Sequence, residues 1–405
     1  MKELKKVYEA RLNKLFIIFN TSILSGIALF SPIIYIFLIN LGYTFIEAGL
    51  YLSIFWGAAA ISELPTGILA DTIGQKRIVI YSCLMRAFGL ILLVNESFFV
   101  LILSGILTGV AEAMLSGSLG SWYMNQLAEK KSVNLERVFS KVALFGSLFS
   151  LIIGFISAEF LFKMHTTLPI ILSAVYFIGL SYLIYIILPE RKVKSEVETL
   201  NDGVKKVESL WYENFKKLLL VFSGDKSLVL ILIILVVPTI LDIGPSNQWQ
   251  VAFKSNIAYL WVGISLIGMI TNLIIPKIPK IFSGLKEIIV YICIDMIIIF
   301  IITLGEYSIV FFMLHIIIFT IISIKINVYM HRDLVKSDSI RSSFISSFYT
   351  IESVITMSLL PLNGYISQQK NIFYAWDMFI CICLLLVIIN LTMLKMRGKK
   401  LRISR

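Results

Sequence analysis

The chain has 405 residues, of which 58% are hydrophobic and 15% are charged, and its mean hydropathy is +0.89. Soluble domains carry roughly 45–50% apolar and about 25% charged residues, so this composition excludes an ordinary water-soluble protein. A formal net charge of +11 also occurs in nucleic-acid-binding proteins, but the basic residues occupy positions that orient a membrane protein. No nucleic-acid partner is therefore expected.

Twelve apolar segments are long enough to cross a membrane as helices. A spanning helix needs about 20 mostly apolar residues, and these segments lack the alternation typical of a membrane β-barrel. The predicted spans are 15–39, 44–70, 78–95, 98–123, 138–162, 167–188, 227–251, 258–281, 286–304, 307–330, 341–366 and 372–395. The predicted fold class is an all-α membrane protein with twelve transmembrane helices. The first span is too long for the apolar part of a cleavable signal peptide.

One long polar stretch separates six spans from six. It predicts an N-terminal six-helix bundle at 1–188, a cytoplasmic linker at 189–226 and a C-terminal six-helix bundle at 227–405. Apolar residues at three- and four-residue spacing in the linker predict an amphipathic helix on the inner leaflet. They are Val204, Val207, Trp211, Phe215, Leu218 and Phe222. A calmodulin-type partner site has a similar pattern.

The basic residues predict the orientation. If the N-terminus is cytoplasmic, all but four of the 36 Lys and Arg residues lie in cytoplasmic segments or at their borders. The exceptions are Arg86 inside a span and Lys163, Lys254 and Lys370 on the outer side. Because positive residues concentrate on the cytoplasmic side, we expect a multi-pass protein of the cell (inner) membrane with both termini cytoplasmic.

The cysteines and histidines form no metal or disulfide motif. All four cysteines, Cys83, Cys293, Cys381 and Cys383, lie in apolar runs, as small buried residues do. The chain also lacks a G-x-x-x-x-G-K-[ST] nucleotide loop and a nucleophile–base set. We therefore expect no enzyme activity, no cofactor and no metal.

The loop after the second span carries a motif. It reads Gly67-Ile-Leu-Ala-Asp71-Thr-Ile-Gly74-Gln-Lys76-Arg77, which resembles the G-x-L-A-D-x-x-G-R-K signature of the major facilitator superfamily. The preceding Glu63-Leu-Pro65-Thr resembles a form found in drug-efflux-like members. Arg341-Ser-Ser-Phe-Ile-Ser346 resembles the R-A-T-x-x-S start of span eleven in that family. The resemblance implies two pseudo-symmetric six-helix bundles that transport a substrate by alternating access.

The resemblance further implies a conformational latch. Its expected members are Glu63, Gly67, Asp71, Gly74, Lys76, Arg77 and Arg341. Gly67 leaves room for close packing of spans two and eleven, and Gly74 suits a turn with positive φ. Asp71 can accept from amides at the start of span eleven. The alternative is a tight cytoplasmic turn that only follows the charge bias.

Ionisable residues inside the spans are candidates for coupling or substrate binding, since each costs about 2.5–3.5 kcal/mol to insert. They are Glu63, Arg86, Glu112, Asp242, Asp295, His315 and Glu352. Spans one, four, seven and ten line the cavity in the resembled family, which ranks Glu112 and Asp242 first. A carboxyl group shielded from water binds a proton more readily and can also pair with a cation.

Structural alternatives remain for most of these residues. Arg86 is positioned to form an ion pair with Glu63 or Glu112, and Glu352 is expected at the interface of the halves. For Asp295 and His315, functional and structural roles stay equally open. Span four lacks the R-x-x-x-G arginine of many proton-driven members, so a proton antiporter would need another carboxylate.

Polar and aromatic residues complete the candidate site. Gly244 and Pro245 are expected to break span seven and turn the following residues toward the transport pathway. The expected pathway residues are Tyr35, Asn247, Gln248, Trp249 and Asn327. An aromatic cavity with few acids favours an amphipathic or cationic substrate.

These features together predict a monomeric secondary transporter that couples efflux of an amphipathic small molecule to protons. One alternative is a metabolite or sugar symporter on the same fold. The other, from a different class, is a membrane receptor or immunity protein that binds its ligand without transporting it.

Overall fold

The computed structural model describes residues 2–116, 118–127, 135–189, 226–274, 284–305, 308–334 and 338–403. These residues are almost entirely helical, and no strand occurs among them. The all-α class predicted from the sequence is therefore confirmed. The amphipathic helix predicted for the linker lies outside the described residues.

Before the linker, the described residues form a series of helices connected by short turns. They are α1 (Lys2–Ala28), α2 (Ile34–Asn40), α3 (Phe45–Ile73), α4 (Gln75–Leu93), α5 (Phe98–Leu115), α6 (Ser118–Gln126), α7 (Leu135–Ile156), α8 (Phe162–Met164) and α9 (Leu168–Ile187). A π-helical segment, Ser157–Leu161, continues α7 into α8.

After the linker, the described part of the chain forms six further helices. They are α10 (Lys226–Ala252), α11 (Ile257–Ile274), α12 (Leu285–Thr303), α13 (Ser308–Tyr329), α14 (Asp338–Gln369) and α15 (Ile372–Ile403). A 3₁₀ turn, Lys254–Asn256, precedes α11, and a π-helical segment, Met330–Leu334, follows α13.

Seven helical stretches of the described chain are long and apolar enough to cross a membrane. They are Phe45–Glu63, Phe98–Gln126, Arg137–Met164, Leu168–Ile187, Ser227–Ala252, Ser308–Tyr329 and Ile372–Met396. A shorter apolar helix covers Ile257–Thr271. The other predicted spans fall on α1, α4, α12 and α14, which carry charged residues among their apolar ones. In its described part, every predicted span therefore consists mainly of helical residues.

The first predicted span, 15–39, is not one helix, and this part of the prediction is wrong. α1 ends at Ala28, and α2 begins at Ile34 after a short turn. Pro32 lies in that turn and lacks the amide proton that a continuing helix would use. The amides of Phe30 and Ser31 instead both donate to the carbonyl of Ile27, at 3.1 and 3.0 Å.

The helix break predicted at Gly244 and Pro245 is also wrong. α10 is continuous although Pro238 and Pro245 lie inside it. The Ser246 hydroxyl donates to the backbone carbonyl of Asp242, and Nδ2 of Asn247 donates to that of Ile243, at 2.9 Å. Such side-chain donors help membrane helices to tolerate proline.

The chain divides into two compact units. The first contains the described residues up to Tyr43, from Ile54 to Pro189 and from Ser255 to Val262. The second contains Thr44–Ser53, the described residues up to Lys254 after the linker, and those from Gly263 onward. Parts of α3 and α11 thus belong to different units, and the predicted division at the linker stays a prediction.

Small residues allow close helix packing within each unit. In the first unit, a Cβ on Gly109 of α5 would lie 2.3 Å from the carbonyl oxygen of Phe55 on α3. In the second unit, a Cβ on Gly49 of α3 would lie 2.6 Å from the carbonyl oxygen of Leu360 on α14. Glycine at these positions lets two backbones approach each other where any side chain would separate them.

Candidate functional site

In the second unit, one histidine lies between two carboxylates from neighbouring helices. His315 on α13 has Nδ1 2.8 Å from Oδ1 of Asp295 on α12, and Nε2 3.1 Å from Oδ1 of Asp242 on α10. The side chains of His315 and Asp295 are 0% exposed, whereas that of Asp242 is 16% exposed. We call these three residues the histidine cluster.

The two contacts of the ring require more protons than a neutral imidazole carries. A neutral ring has one N–H group and one nitrogen lone pair, so it can donate to only one carboxylate. In either tautomer, the lone pair would face the other carboxylate oxygen. Both contacts become hydrogen bonds when one proton is added, on the ring or on a carboxyl group. The geometry therefore fits a cluster that holds one added proton.

Aromatic rings surround one side of the cluster. The ring centroids of Phe312 and Phe319 lie 6.2 and 5.9 Å from that of His315. Trp249 stacks on Phe312 at 6.4 Å, and Phe253 lies 5.2 Å from the same ring. These rings exclude water, which strengthens electrostatic interactions within the cluster. Trp249 is buried in this packing, and its expected place along a pathway stays a prediction.

Gln248 lies in the interior of the second unit, and its predicted place along a pathway stays a prediction. Its side chain is fully buried, where Nε2 donates to Oγ of Ser367 at 2.8 Å and Oε1 accepts from Nε1 of Trp376 at 3.1 Å. It therefore joins α10 to α14 and α15. Asn247 is partly exposed, and its amide donates to its own helix and to the Ser246 hydroxyl.

A second carboxylate contacts α10 one turn before Asp242. Glu352 on α14 accepts a hydrogen bond from the hydroxyl of Thr239 at 2.6 Å. Oδ1 of Asn327 on α13 accepts from the hydroxyl of Tyr349 on α14, also at 2.6 Å. All of these side chains are at least partly exposed. We call Asp242, Glu352, Asn327 and Tyr349 the polar face of the second unit.

The first unit holds the ion pair that the sequence suggested for Arg86 and Glu112. Nη2 of Arg86 on α4 lies 2.5 Å from Oε2 of Glu112 on α5, and the side chains are 2% and 38% exposed. The guanidinium carbon lies 5.6 Å from the centroid of the Phe177 ring on α9. Nε of Arg86 is buried without a hydrogen-bond partner among the described residues. Glu63, the other suggested partner, is exposed on α3.

Lys76 of the signature loop contacts the end of α9. Its Nζ donates to the carbonyl of Tyr185 at 2.8 Å and lies 5.6 Å from the centroid of the Tyr185 ring. The side chains of Trp122 and Gln126 donate to the carbonyl of Pro189, at 3.0 and 3.3 Å. A cation is favourable at the C-terminus of a helix because the last carbonyls carry partial negative charge. Lys76 therefore stabilises the helix end that precedes the linker.

The structure describes the backbone turn at Gly74 and the surroundings of Gly67, but only some of the other predicted residues. Gly74 has φ of 99°, as expected for a tight turn, and precedes the first residue of α4. A Cβ on Gly67 would have no described atom within 4 Å, and its predicted packing against the start of span eleven stays a prediction, because side chains there lie outside the described residues. The side chains of Asp71 and Arg341 lie outside the described residues. Arg77 is exposed, and Tyr35 is buried on α2.

The pairing of Asp295 with His315 has a signal in the sequence, namely their spacing from one turn. Asp295 lies eight residues before the end of α12 at Thr303, and His315 lies seven residues after the start of α13 at Ser308. Two helices joined by a short turn run antiparallel, so nearly equal distances from the turn place residues at similar depth. That spacing predicts the pair, but it does not include Asp242 on α10.

Comparison with known proteins gives one family match and several similar folds. The family model described as Major Facilitator Superfamily matches residues 15–398. The uncharacterized MFS-type transporter YxaM of Bacillus subtilis (strain 168) is 28% identical over 223 residues. This match covers 54% of the chain and 53% of the relative, so it spans about half the length of either protein.

Solved structures resemble the chain over almost its whole length. The nucleoside transporter NupG has a TM-score of 0.74 at 16% identity, with 96% of this chain and 99% of that chain covered. Tetrameric PepTSo2 has a TM-score of 0.69 at 11% identity, with 96% and 99% covered. A POT family transporter in complex with 5-aminolevulinic acid has 0.66 at 14%, with 95% of each chain covered. At these identities the likeness concerns the fold alone.

Proposed function

Because this chain belongs to the Major Facilitator Superfamily, we propose that it is a secondary transporter that moves an amphipathic small molecule against protons. The observation that carries the proposal is the single imidazole of His315 between the carboxylates of Asp242 and Asp295. An ionisable group inside a membrane protein is expensive to keep and usually marks a functional site. Three such groups in contact form a site that can take up and release a proton.

Asp242 is the member of the cluster that exchanges protons with its surroundings. It is 16% exposed, whereas the other two side chains are fully buried. When the added proton leaves, Asp242 loses its favourable contact with His315, and α10 and α13 lose a hydrogen bond between them. Since α10 also holds Glu352 through Thr239, this change reaches the polar face.

The polar face supports an amphipathic substrate with a positively charged group. It offers two carboxylates, Asp242 and Glu352, together with the phenol of Tyr349 and the amide of Asn327. A few placed polar groups on a largely apolar lining are typical of sites for small organic molecules. The carboxylates attract the cationic group of the substrate, while the apolar side chains of the surrounding helices contact its apolar part.

Efflux from the cytoplasm is the direction that the resemblance of the signature loop favours. We propose that the protein works as a monomer in the cell membrane. Both termini are proposed to be cytoplasmic, because the basic residues follow the positive-inside pattern. Transport by alternating access uses the proton gradient, and the proposal requires no enzyme activity, cofactor or metal. A metabolite symporter would use the same cluster with proton and substrate moving together.

Proton flux in proteoliposomes tests the proposal. The purified full-length protein is reconstituted with an internal pH-sensitive dye and exposed to a panel of cationic and neutral amphiphiles. We expect some of them to trigger proton movement that Asp242→Asn abolishes. Asp377→Asn is the matched control, because Asp377 accepts from Thr303 outside the cluster.

Each result has a distinct meaning. Proton movement opposite to substrate movement supports efflux, and movement in the same direction supports the symporter. Equal loss in Asp242→Asn and Asp377→Asn would exclude the cluster as the proton site. Substrate binding without flux of substrate or protons would overturn the transporter proposal in favour of a receptor.

A further inference from the structure

We propose that Asp295 is a positioning residue that fixes the tautomer of His315, so that loss of the added proton releases Asp242 and no other carboxylate. The inference rests on the proposed proton site. It nevertheless concerns a property of the imidazole ring that can be measured without any transport.

Asp295 depends on His315 for its hydrogen bonding. Its side chain is fully buried, and Oδ1 lies 2.8 Å from Nδ1 of His315. Its other oxygen, Oδ2, has no hydrogen-bond partner among the described residues. If the ring turned a lone pair toward Asp295, the carboxylate would lose the hydrogen bond that the structure shows and would have no water to replace it. Unpaired buried carboxylates are strongly unfavourable, so this contact is the costly one to lose.

Asp242 is in a different position. Its contact with Nε2 of His315 is longer, 3.1 Å, and its side chain remains partly exposed. A carboxylate that can reach solvent loses less when a protein partner is removed, because water supplies new hydrogen bonds. The neutral ring therefore keeps its proton on Nδ1, where it donates to Asp295. Its Nε2 lone pair then faces Asp242 and repels it.

The other ionisable side chains of the neighbouring helices described next do not contact the His315 ring. On α14, Glu352 accepts from Thr239, and on α15, Asp377 accepts from Thr303. Cys383 on α15 contacts the carbonyl of Val237 at 3.7 Å, and Cys293 on α12 is a partly buried free thiol. Among the hydrogen bonds of the described residues, only Asp242 and Asp295 bind the His315 ring. These two carboxylates therefore determine where its protons lie.

Nitrogen NMR of the ring tests the inference directly. The chain has 3 histidines, so the substitutions His165→Gln and His331→Gln leave His315 as the single histidine. The full-length protein is labelled with ¹⁵N-histidine, placed in lipid nanodiscs and titrated. We expect both nitrogens to be protonated at low pH. As the pH rises, Nδ1 keeps its proton while Nε2 acquires the shift of an unprotonated nitrogen.

Asp295→Asn provides the matched variant. An amide of the same shape can donate to Nδ1, which moves the ring proton to Nε2, as an equivalent exchange does in serine proteases. We expect the neutral tautomer to reverse, and Asp242 then to keep its hydrogen bond without the added proton. Asp242→Asn is the control, because it leaves Asp295 in place and should keep the proton on Nδ1.

The outcomes separate the inference from the proposed function. A neutral wild-type ring with its proton on Nε2 overturns the inference, and this measurement does not depend on any variant at residue 295. An unchanged tautomer in folded Asp295→Asn overturns it as well. The expected tautomers without proton flux would instead contradict the proposed function and leave the inference standing. When the flux assay is repeated at several pH values, the proton flux through Asp295→Asn should vary with pH less than a tenth as much as the flux through the wild type.

Discussion

The indole of Trp261 on α11 lies directly against the backbone of Gly154 on α7, within the first unit. A Cβ on the glycine would lie 2.1 Å from Nε1 of the indole, and Nε1 donates to the carbonyl of Ser150 at 3.1 Å. The missing side chain at residue 154 thus makes room for the hydrogen bond at residue 150. The backbone of α7 and a side chain of α11 are held together by that bond.

Gly154→Ala should therefore destabilise the protein, although alanine is the better helix former. The added methyl group displaces the indole, and overpacking of this kind typically costs about 1–3 kcal/mol. The matched control is Gly179→Ala on α9, where no described atom lies within 4 Å of the new Cβ. Thermal unfolding in detergent compares the two, and equal melting temperatures would contradict the close contact.

Removing Glu112 should destabilise the first unit more than removing Arg86. Glu112→Ala leaves the guanidinium of a 2% exposed arginine unpaired, whereas Arg86→Met leaves a carboxylate that is 38% exposed. Loss of one partner from a buried pair costs about 3–5 kcal/mol, and solvent reduces this cost for the half-exposed carboxylate. Denaturant unfolding of both variants and of the double variant measures the difference. If Arg86→Met is the less stable variant, this account of the pair is wrong.

Lys76→Met should weaken the end of α9. The substitution removes a charged donor from the carbonyl of Tyr185, and interactions of this kind at a helix C-terminus contribute about 0.3–1 kcal/mol. Lys370→Met replaces an exposed lysine of the second unit and should have no measurable effect. The comparison is made by thermal unfolding at low and high salt. A loss that is the same at both salt concentrations would argue against an electrostatic origin.

The histidine cluster should make stability depend on pH. Because the Asp242–His315 contact needs an added proton, its contribution is present at low pH and disappears as the proton is lost at higher pH. A hydrogen bond to a charged group contributes about 1.5–3 kcal/mol. In Asp242→Asn, the amide NH₂ can donate to Nε2 of the neutral ring and the amide oxygen can accept from Nε2–H of the charged ring, so the contact persists at every pH and this pH dependence should vanish. Melting curves from acidic to alkaline pH check this, with Asp377→Asn expected to behave like the wild type.

Asp71→Asn tests the latch that the signature loop implies. If the carboxylate accepts from backbone amides, its loss should shift the population toward inward-facing states. Accessibility of single cysteines to a membrane-impermeant reagent measures the shift, and Glu96→Gln in the turn after α4 is the control. Unchanged accessibility in Asp71→Asn would leave the loop as a tight turn without a latch.

The spans and their family could be predicted from the sequence because they depend on local properties. Hydropathy summed over about 20 residues determines whether a segment can cross a membrane, and Leu168–Ile187 coincides with its prediction almost residue for residue. The turn at Gly74 could also be predicted from the local sequence, since a tight turn with positive φ favours glycine wherever it occurs. The signature loop indicates the family in the same way, because its residues are contiguous in the chain.

Only the tertiary structure decided which polar groups meet. Asp242, Asp295 and His315 come from three helices, and their contact depends on the rotation of each helix about its axis, which hydropathy does not specify. Proline shows the same limit: the helix ends near Pro32 but continues through Pro245, where neighbouring side chains bond to the backbone. Local composition determined where helices form, whereas packing determined how their polar side chains pair.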